Sequence, residues 1–341
     1  MQRSYQVAAL GIAALALAGL AQQTPGSGPY KVVKTVKVGG AGVFDYVYAD
    51  VDGRRLYIPR PAAAGARITV FDLDSLASVG EIPNANARGV AVDPKSHHGF
   101  ATSKPVVMWD TKTLAAIKTI DVEGGPDGIL FDPFNGRVWV FSHRAPNATV
   151  IDTKDGSIVG TVDLGGAPEQ AVTDGKGHLW VDLEDKDNIA AVDAKTLKVT
   201  AHYDLAGKGG GPGGLALDEK HHILFAACHE PATMVILNAE DGKVITTLPI
   251  GKGVDGAGFN PHTMEAFSSQ GDGTLTVIKE NSPSSFEVEQ NVQTRPGART
   301  MTVDTKTNQI FLITGEFAPP APGQRRGPMV PDSFSIIVVG K

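Results

Sequence analysis

Short apolar runs separated by turn residues repeat seven times along this chain of 341 residues. In each repeat one apolar run ends in an acidic or amide residue, here called the marker, and successive markers lie 39 to 44 residues apart. The markers are Asp50, Asp93, Asp132, Asp174, Asp218, Asn260 and Asp304. About seven residues after each marker comes a bulky or apolar residue: Tyr57, Phe100, Trp139, Trp180, Phe225, Ala266 and Phe311. A period of ~40–45 residues built from strand-like segments is typical of a β-propeller with one four-stranded blade per repeat.

The third repeat shows the four predicted strands. Residues 129–131 form a short apolar innermost strand, and a turn at 132–136 leads to a second strand at 138–141. Residues 149–151 form a third strand, and residues 158–164 alternate between apolar and polar positions, as an outer strand does. We therefore predict an all-β fold, a seven-bladed β-propeller over residues 30–341.

The seventh repeat has no outer strand of its own, because the chain stops soon after the apolar run 335–339. A matching segment lies at the other end of the chain, where residues 30–40 resemble residues 116–125, the outer strand of the second repeat. We therefore expect the N-terminal strand to complete the last blade and close the ring, which leaves no unpaired sheet edge there.

The markers and the acidic or amide residues that end the third strands have a structural explanation. The third-strand endings are Asp72, Asp110, Asp152, Asp193 and Asn238. Side chains of Asp and Asn bond the backbone two residues further on and so close Asx-turns. We therefore assign these repeated residues to the scaffold and not to catalysis.

The N-terminal segment has the pattern of a secretory signal. Arg3 precedes an apolar stretch at 7–21, and Gly19 and Ala21 are small residues at the −3 and −1 positions of a cleavage site before Gln22. We expect a signal peptide at 1–21, a short linker at 22–29, and a periplasmic or extracellular protein with no membrane span after signal removal. An uncleaved anchor is the alternative, but fifteen apolar residues are short for a bilayer span.

Composition narrows the classes of partner. The formal net charge is −6, the pI is near 5.8, and no stripe of Lys and Arg is present. We therefore do not expect a nucleic acid as partner, because basic side chains supply most of the affinity for nucleic acids. The chain has one cysteine, Cys228, which cannot form an internal disulfide and is expected to be a buried filler.

The repeats resemble the YVTN-repeat (YncE-like) family of extracytoplasmic propellers. The stretches that carry the resemblance are Leu56-Tyr57-Ile58-Pro59 followed by 68–72, Val138-Trp139-Val140-Phe141 followed by 148–152, and the connection at 124–129. The resemblance covers essentially all of 30–341. It implies a WD40-like propeller that is exported, and it assigns no reaction, because the matching residues belong to the blade scaffold.

The loops that lead into the innermost strands carry charges. Five residues before each marker lie Asp45, Arg88, Asp127, Glu169, Gly213, Asp255 and Arg299, here called the funnel ring. Loops that a rigid scaffold positions around a central channel are the usual site of function. One interpretation is a ring of ion pairs between blades, with Arg88 between Asp45 and Asp127 and Arg299 between Asp255 and Asp45. The other is a polar funnel for a small ligand, with Glu169 and Asp255 as the first choices for a ligand-contacting acid.

A second set of candidates lies where the second strands end, at Lys104, His143, Glu184, His229 and Gln270. His143 and His229 are candidate ligand-binding residues, and His229 and Glu169 are candidate acid/base groups, because histidine titrates near neutral pH. A metal is not expected, because His143 and His229 lie two blades apart and sheets pack ~10 Å apart, while zinc–ligand bonds are ~2 Å.

The other motifs are given no functional role, and one loop has three possible roles. The two Gly-x-Gly-x-x-Gly matches at 209–214 and 251–256 do not open a helix, so no nucleotide or other cofactor is expected. The pairs at 97–98 and 221–222 are adjacent histidines, which rarely chelate one ion together. The proline-rich loop 315–331, which contains Arg325 and Arg326, is either a lid over the funnel, a partner-binding arm or a surface insertion.

Three functions remain open at the sequence level. The leading hypothesis is an exported propeller that binds an unknown small molecule or a cell-envelope protein through its funnel face, without catalysis. The runner-up is a lactonase-like hydrolase or lyase that uses Glu169 or His229 as acid/base and Arg88 or Arg299 to hold an anion. A third is a structural subunit of a periplasmic redox complex.

Overall fold

The computed structural model describes residues 28–40, 43–320, 323 and 327–341. The expected signal peptide and the linker up to residue 27 lie outside the described residues. Within the described part, all but one of the regular elements are β-strands, and they form seven four-stranded antiparallel sheets. The predicted seven-bladed propeller is therefore confirmed.

Blades one to four follow one another along the chain. Blade one consists of β2 (Tyr48–Asp50), β3 (Arg55–Arg60), β4 (Arg67–Asp72) and β5 (Ser78–Pro83). Blade two consists of β6 (Val90–Asp93), β7 (His98–Ala101), β8 (Val106–Asp110) and β9 (Ala116–Ile120). Blade three consists of β10 (Pro126–Asp132), β11 (Arg137–Ser142), β12 (Asn147–Asp152) and β13 (Ile158–Asp163). Blade four consists of β14 (Pro168–Thr173), β15 (His178–Leu183), β16 (Asn188–Asp193) and β17 (Lys198–Asp204), with a 3₁₀ helix at Glu184–Lys186.

Blades five to seven continue the pattern. Blade five consists of β18 (Gly210–Asp218), β19 (Ile223–Glu230), β20 (Thr233–Asn238) and β21 (Val244–Pro249). Blade six consists of β22 (Val254–Asn260), β23 (Glu265–Gln270), β24 (Thr274–Ser282) and β25 (Ser285–Gln293). Blade seven consists of β26 (Met301–Asp304), β27 (Gln309–Thr314) and β28 (Ser335–Gly340), together with β1 (Lys31–Lys37) from the N-terminus.

The N-terminal strand closes the ring, as the sequence predicted. β1 pairs with β28 in antiparallel register from Lys31 opposite Gly340 to Lys37 opposite Ser335. Just before β1, the side chain of Gln290 in β25 bonds both the backbone N–H (3.0 Å) and the backbone C=O (2.8 Å) of Tyr30. The last blade is thus fastened to blade six as well as to its own third strand.

The hydrophobic core lies between the blades. Each of the seven apolar clusters combines side chains from two neighbouring blades. The bulky residues of the second and third strands, such as Tyr57, Trp109 and Trp139, are fully buried there. This packing of sheet on sheet holds the loops around the axis in fixed positions, so the ends of the channel are rigid places for a site.

The markers have the scaffold role predicted for them. Each marker side chain accepts a hydrogen bond from a backbone N–H two or three residues further on. Several also contact the next blade: Asp93 accepts from Thr153 (2.6 Å), Asp132 from Thr173 (3.0 Å) and Asp304 from Arg54 (2.8 Å). The repeated carboxylates therefore form turns and seams between blades.

The loop 315–331 is partly packed against the ring. Phe317 and Met329 form an isolated bridge, and Phe317 lies 6.4 Å from Phe44 between ring centroids, at the seam of blades seven and one. Arg325 and Arg326 lie outside the described residues. In the part of the chain that the structure describes, no helix has the length and apolar character needed to cross a membrane.

Candidate functional site

Bulges in four of the innermost strands lie at the position of the funnel ring. The pairing of the first and second strands shifts register between Pro126 and Ile129 in blade three and between Pro168 and Ala171 in blade four. The same shift occurs in blades five and six, so Asp127, Glu169, Gly213 and Asp255 all lie within such a shift. A bulge re-aims side chains without ending the sheet, which explains how charged residues stand in otherwise apolar strands.

Glycine follows the ring residue in four blades and lets the backbones approach. A Cβ atom on Gly128 would lie 2.5 Å from the carbonyl oxygen of Glu169, and one on Gly214 would lie 2.9 Å from the amide nitrogen of Ala257. Such distances exclude any larger residue unless the blades separate. At the equivalent position the other three blades carry Tyr46, Gln170 and Thr300; Tyr46 and Gln170 line the central channel, and Thr300 is buried and bonds the carbonyl of Asp45.

The arginines of the ring form the expected ion pairs in part. Arg88 Nη1 lies 2.9 Å from Asp45 Oδ2 and 3.8 Å from Asp127 Oδ2, so this guanidinium stands between the two acids as predicted. Arg299 Nε lies 2.9 Å from Asp255 Oδ2, and among the described residues it forms no ion pair with Asp45, the second acid expected beside it. Asp255 is therefore paired with an arginine on the side away from Gly213.

Glu169 has different neighbours. The hydroxyl of Tyr46 donates a hydrogen bond of 3.0 Å to Glu169 Oε2, and His143 Nδ1 lies 2.9 Å from Glu169 Oε1 without hydrogen-bond alignment. His143 Nε2 lies 3.7 Å from Glu184 Oε2. Among the described residues, Glu169 forms no ion pair with an arginine or lysine. Ligand atoms of His143, Glu169 and Glu184 lie within 4.8 Å of one another, close enough to surround one cation.

The carboxyl groups of the funnel are hard to ionise together. Burial and, next in size, the negative charge of Asp127 together raise the pKa of Glu169 to about 7. Burial likewise raises the pKa of Asp127 to about 6, although Arg88 opposes the shift. Burial raises the pKa of Asp255 and of Asp182 well above the ordinary value, and Glu169 adds to the shift in both. The funnel therefore holds more carboxyl groups than its two arginines can neutralise.

Two residues that sequence reasoning missed shape the floor of this site. Gln170 accepts hydrogen bonds from the amides of Leu215 and Ala257 (both 3.1 Å) and donates to the carbonyl of Ala257 (3.0 Å), so it links blades four, five and six across the channel. Asp182 is fully buried beneath the ring and accepts a bond of 2.6 Å from the amide of Gln170. The missing glycine after Glu169 was the sequence signal that could have identified Gln170.

His229 lies apart from the His143 cluster. Its Nε2 atom is 2.9 Å from the position that a Cβ atom of Gly213 would occupy, so the imidazole covers the gap that the ring glycine leaves. A cavity of about 580 Å³ beside it is lined by Glu184, Asp185, Asp187 and Glu230. The sequence argument considered only His143 and His229 as ligands of one ion, and it overlooked that His143 meets Glu169 and Glu184 of the adjacent blade.

The funnel face is electrostatically two-sided. A cavity of about 420 Å³ near blades one to three is lined by Arg88, Arg299 and Lys104 together with Asp45. The acidic cavity near His229 lies on the other side, and the central channel of about 400 Å³, with Tyr46, Glu169 and Gln170 in its lining, lies between them. This arrangement favours a ligand with a cationic group directed toward Glu169.

Comparisons with known proteins bear on the fold. No family model and no curated protein matches the sequence. The chain is similar in structure to the WD40 repeats of RRP9, with a TM-score of 0.73, 10% identity, and coverage of 93% of this chain and 99% of that one. It is also similar to U3-55K, with a TM-score of 0.72, 10% identity, and coverage of 92% and 99%. The chain is a seven-bladed propeller that resembles WD40-repeat proteins in structure.

Proposed function

We propose that this protein is an exported binding propeller that takes up a positively charged group, of a small ligand or of a cell-envelope partner, at the funnel face. The observation that carries the proposal is the environment of Glu169. This carboxyl group faces other carboxyls and a histidine, lacks an arginine partner among the described residues, and has a pKa of about 7. A bound cation would stabilise the ionised form that burial and like charge disfavour.

Two sequence features support the exported setting. The N-terminal pattern at 1–21 has the charged, apolar and small-residue regions of a secretory signal. The repeats resemble the YVTN-repeat family, whose members are exported. On this basis we propose that the chain carries a signal peptide and is exported, and that it is located in the periplasm or outside the cell.

Calorimetric titration with spermidine and with a short lysine-containing peptide tests the proposal. Since a cation binds the ionised carboxyls, affinity should rise at least tenfold between pH 5.5 and pH 8, and binding near pH 6.5 should release protons, which appears as a buffer-dependent enthalpy. Glu169→Gln should lose most of the affinity at pH 8. Glu240→Gln, which changes an exposed carboxyl elsewhere, is the matched control.

Two results would count against cation binding. One is equal affinity in Glu169→Gln and the unaltered protein. The other is no binding of any amine at pH 8, together with turnover of a small substrate.

A second candidate function has one specific observation in its favour. Glu169 combines a pKa of about 7 with His143 at 2.9 Å, and Arg88 lies on the same ring, which suits general acid/base chemistry on an anionic substrate. We infer that a lactonase-like activity would show a pH-dependent rate that Glu169→Gln abolishes and His229→Ala lowers, with circular dichroism unchanged. Absence of turnover across a panel of lactones would leave binding as the function.

A further inference from the structure

A second cluster of polar side chains lies at the opposite end of the blades from the funnel. Asp218, the marker of blade five, ends β18, and His221 stands in the turn between β18 and β19. Glu280 lies near the end of β24 in blade six. Because first and third strands of a blade run in the same direction, these three residues meet at one seam between blades five and six.

The three side chains converge on the imidazole. His221 Nδ1 lies 2.8 Å from Asp218 Oδ2 and 2.6 Å from Glu280 Oε1, and one ligand atom from each residue falls within 4.8 Å of the others. The side chains of Asp218 and Glu280 are each 1% exposed, and His221 is 22% exposed. The carboxyls are therefore cut off from water, while the imidazole is partly exposed at the surface.

The hydrogen bonds within the cluster leave two carboxylate oxygens without an aligned donor. Asp218 Oδ2 and Glu280 Oε2 are buried and have no aligned hydrogen-bond donor, although the two carboxyl groups lie within hydrogen-bonding reach of each other. One imidazole Nδ1 carries at most one proton, and it faces two carboxylates. Among the residues that the structure describes, neither carboxylate forms an ion pair with a lysine or an arginine. Two carboxyl groups buried beside a single imidazole need a proton or a cation to offset the charge that they would carry when ionised.

The donor set suits a divalent transition metal. Zinc binds imidazole nitrogen and carboxylate oxygen at ~2.0–2.2 Å, and its tetrahedral ligands then lie about 3.3 Å apart. The imidazole nitrogen must therefore move away from the two carboxylate oxygens by about 0.5 to 0.7 Å, and His221 is in a turn, where such a shift is easy. The other oxygen of Asp218 is already fixed by the amide of Lys220 (3.0 Å), as outer contacts fix metal ligands.

We propose that Asp218, His221 and Glu280 bind a divalent transition-metal ion, with zinc as the test ion, and that this ion fastens blade six to blade five. Three protein ligands leave a fourth position for water next to the exposed edge of His221. The site is independent of the funnel, because its residues lie at the other end of the channel.

The test is titration of chelator-treated protein with ZnCl₂ and CoCl₂. A His143→Ala background removes the funnel cluster of His143, Glu169 and Glu184, which could also bind a metal. In this background we expect one equivalent of metal to bind, a rise in Tm with zinc, and the absorption bands of four-coordinate cobalt. His221→Ala should weaken binding at least tenfold, while His222→Ala, the adjacent exposed histidine, should not.

Glu280→Gln is the control for a folding defect, because glutamine has nearly the same shape as glutamate. In the His143→Ala background this variant should lose the cobalt spectrum and keep the circular dichroism of the His143→Ala protein. Unchanged binding in His221→Ala or Glu280→Gln would overturn the proposal. The proposal would also be overturned if zinc left the Tm of the His143→Ala protein unchanged and cobalt gave no spectrum with it. That result would mean that the two carboxyl groups share a proton.

Discussion

Glu169 shows how one residue can couple the site to stability. Its carboxyl group has a pKa of about 7 in the folded protein against an ordinary value of 4.5, because burial and Asp127 oppose its charge. The folded state therefore holds this proton more tightly than the unfolded state. The contribution of this group to the free energy of unfolding is fully present below pH 4.5 and is lost as the pH rises through about 7.

Glu169→Gln should remove that loss. We expect the variant to be more stable than the unaltered protein by about 3 kcal/mol at pH 8 and nearly equal to it at pH 4, since glutamine has no charge to bury. Urea unfolding at both pH values measures the difference. Glu240→Gln, an exposed site, should change stability by less than about 0.5 kcal/mol at either pH. A destabilised Glu169→Gln at pH 8 would contradict this explanation of the raised pKa.

At the scale of elements, polar side chains act as additional strand pairings. Gln290 binds the backbone N–H and C=O of Tyr30 and so extends the closure beyond β1. Gln170 does the same at the axis, where it bonds two innermost strands that its own strand does not pair with. Both side chains satisfy backbone groups that would otherwise be unpaired away from water.

Gln290→Ala should weaken the closure of the ring. It leaves the N–H and C=O of Tyr30 without partners, and we expect the free energy of unfolding to fall by about 2 kcal/mol. Gln293→Ala is the matched control, because it lies on the same strand, is exposed and makes one bond to the carbonyl of Gly273. Guanidinium unfolding measures both, and equal losses in the two variants would refute the special role of Gln290.

Gln170→Ala should loosen the axis. Two amides and one carbonyl of blades five and six lose their partner, so a loss of about 2 kcal/mol is expected, with faster exchange of the Leu215 and Ala257 amides. Hydrogen-exchange mass spectrometry localises the effect. Protection of both amides equal to that in the parent protein would show that water replaces the side chain.

At the scale of the whole molecule, the ring depends on every seam between neighbouring blades. The seam of blades seven and one joins distant parts of the chain, and Arg54 crosses it to Asp304 at 2.8 Å, where the carboxyl side chain is fully buried. Burial alone would raise the pKa of Asp304, but hydrogen bonds from Arg54 and Thr307 hold it below the ordinary value. This carboxylate therefore adds stability above pH 3.8, and the contribution is lost as pH falls through its folded pKa.

Arg54→Met should leave a buried charge unpaired. We expect a loss of about 3 kcal/mol at pH 7, with a smaller difference from the unaltered protein below pH 3.8, where Asp304 becomes protonated. Arg55→Met is the control, because Arg55 pairs with Asp72 at 3.6 Å and both side chains are about one-third exposed. Thermal unfolding at several pH values gives both numbers. A loss that does not depend on pH would assign the effect to packing.

The period of the apolar runs was sufficient to predict seven blades, the closing N-terminal strand and the turn role of the markers. Those features depend on local patterns: Asx-turns need only a few adjacent residues, and alternation along a strand fixes its buried face. The positions of the funnel ring also followed from the period, since the ring residue stands a constant distance before each marker.

Which of those side chains meet was decided by the tertiary structure. Glu169 contacts His143 and Tyr46 of other blades because bulges aim it inward and a glycine in the neighbouring blade admits it. Asp218 and Glu280 lie 62 positions apart, and neither local sequence suggests the other. Contacts between blades depend on the register and twist of whole sheets, and these are set by packing over the entire ring.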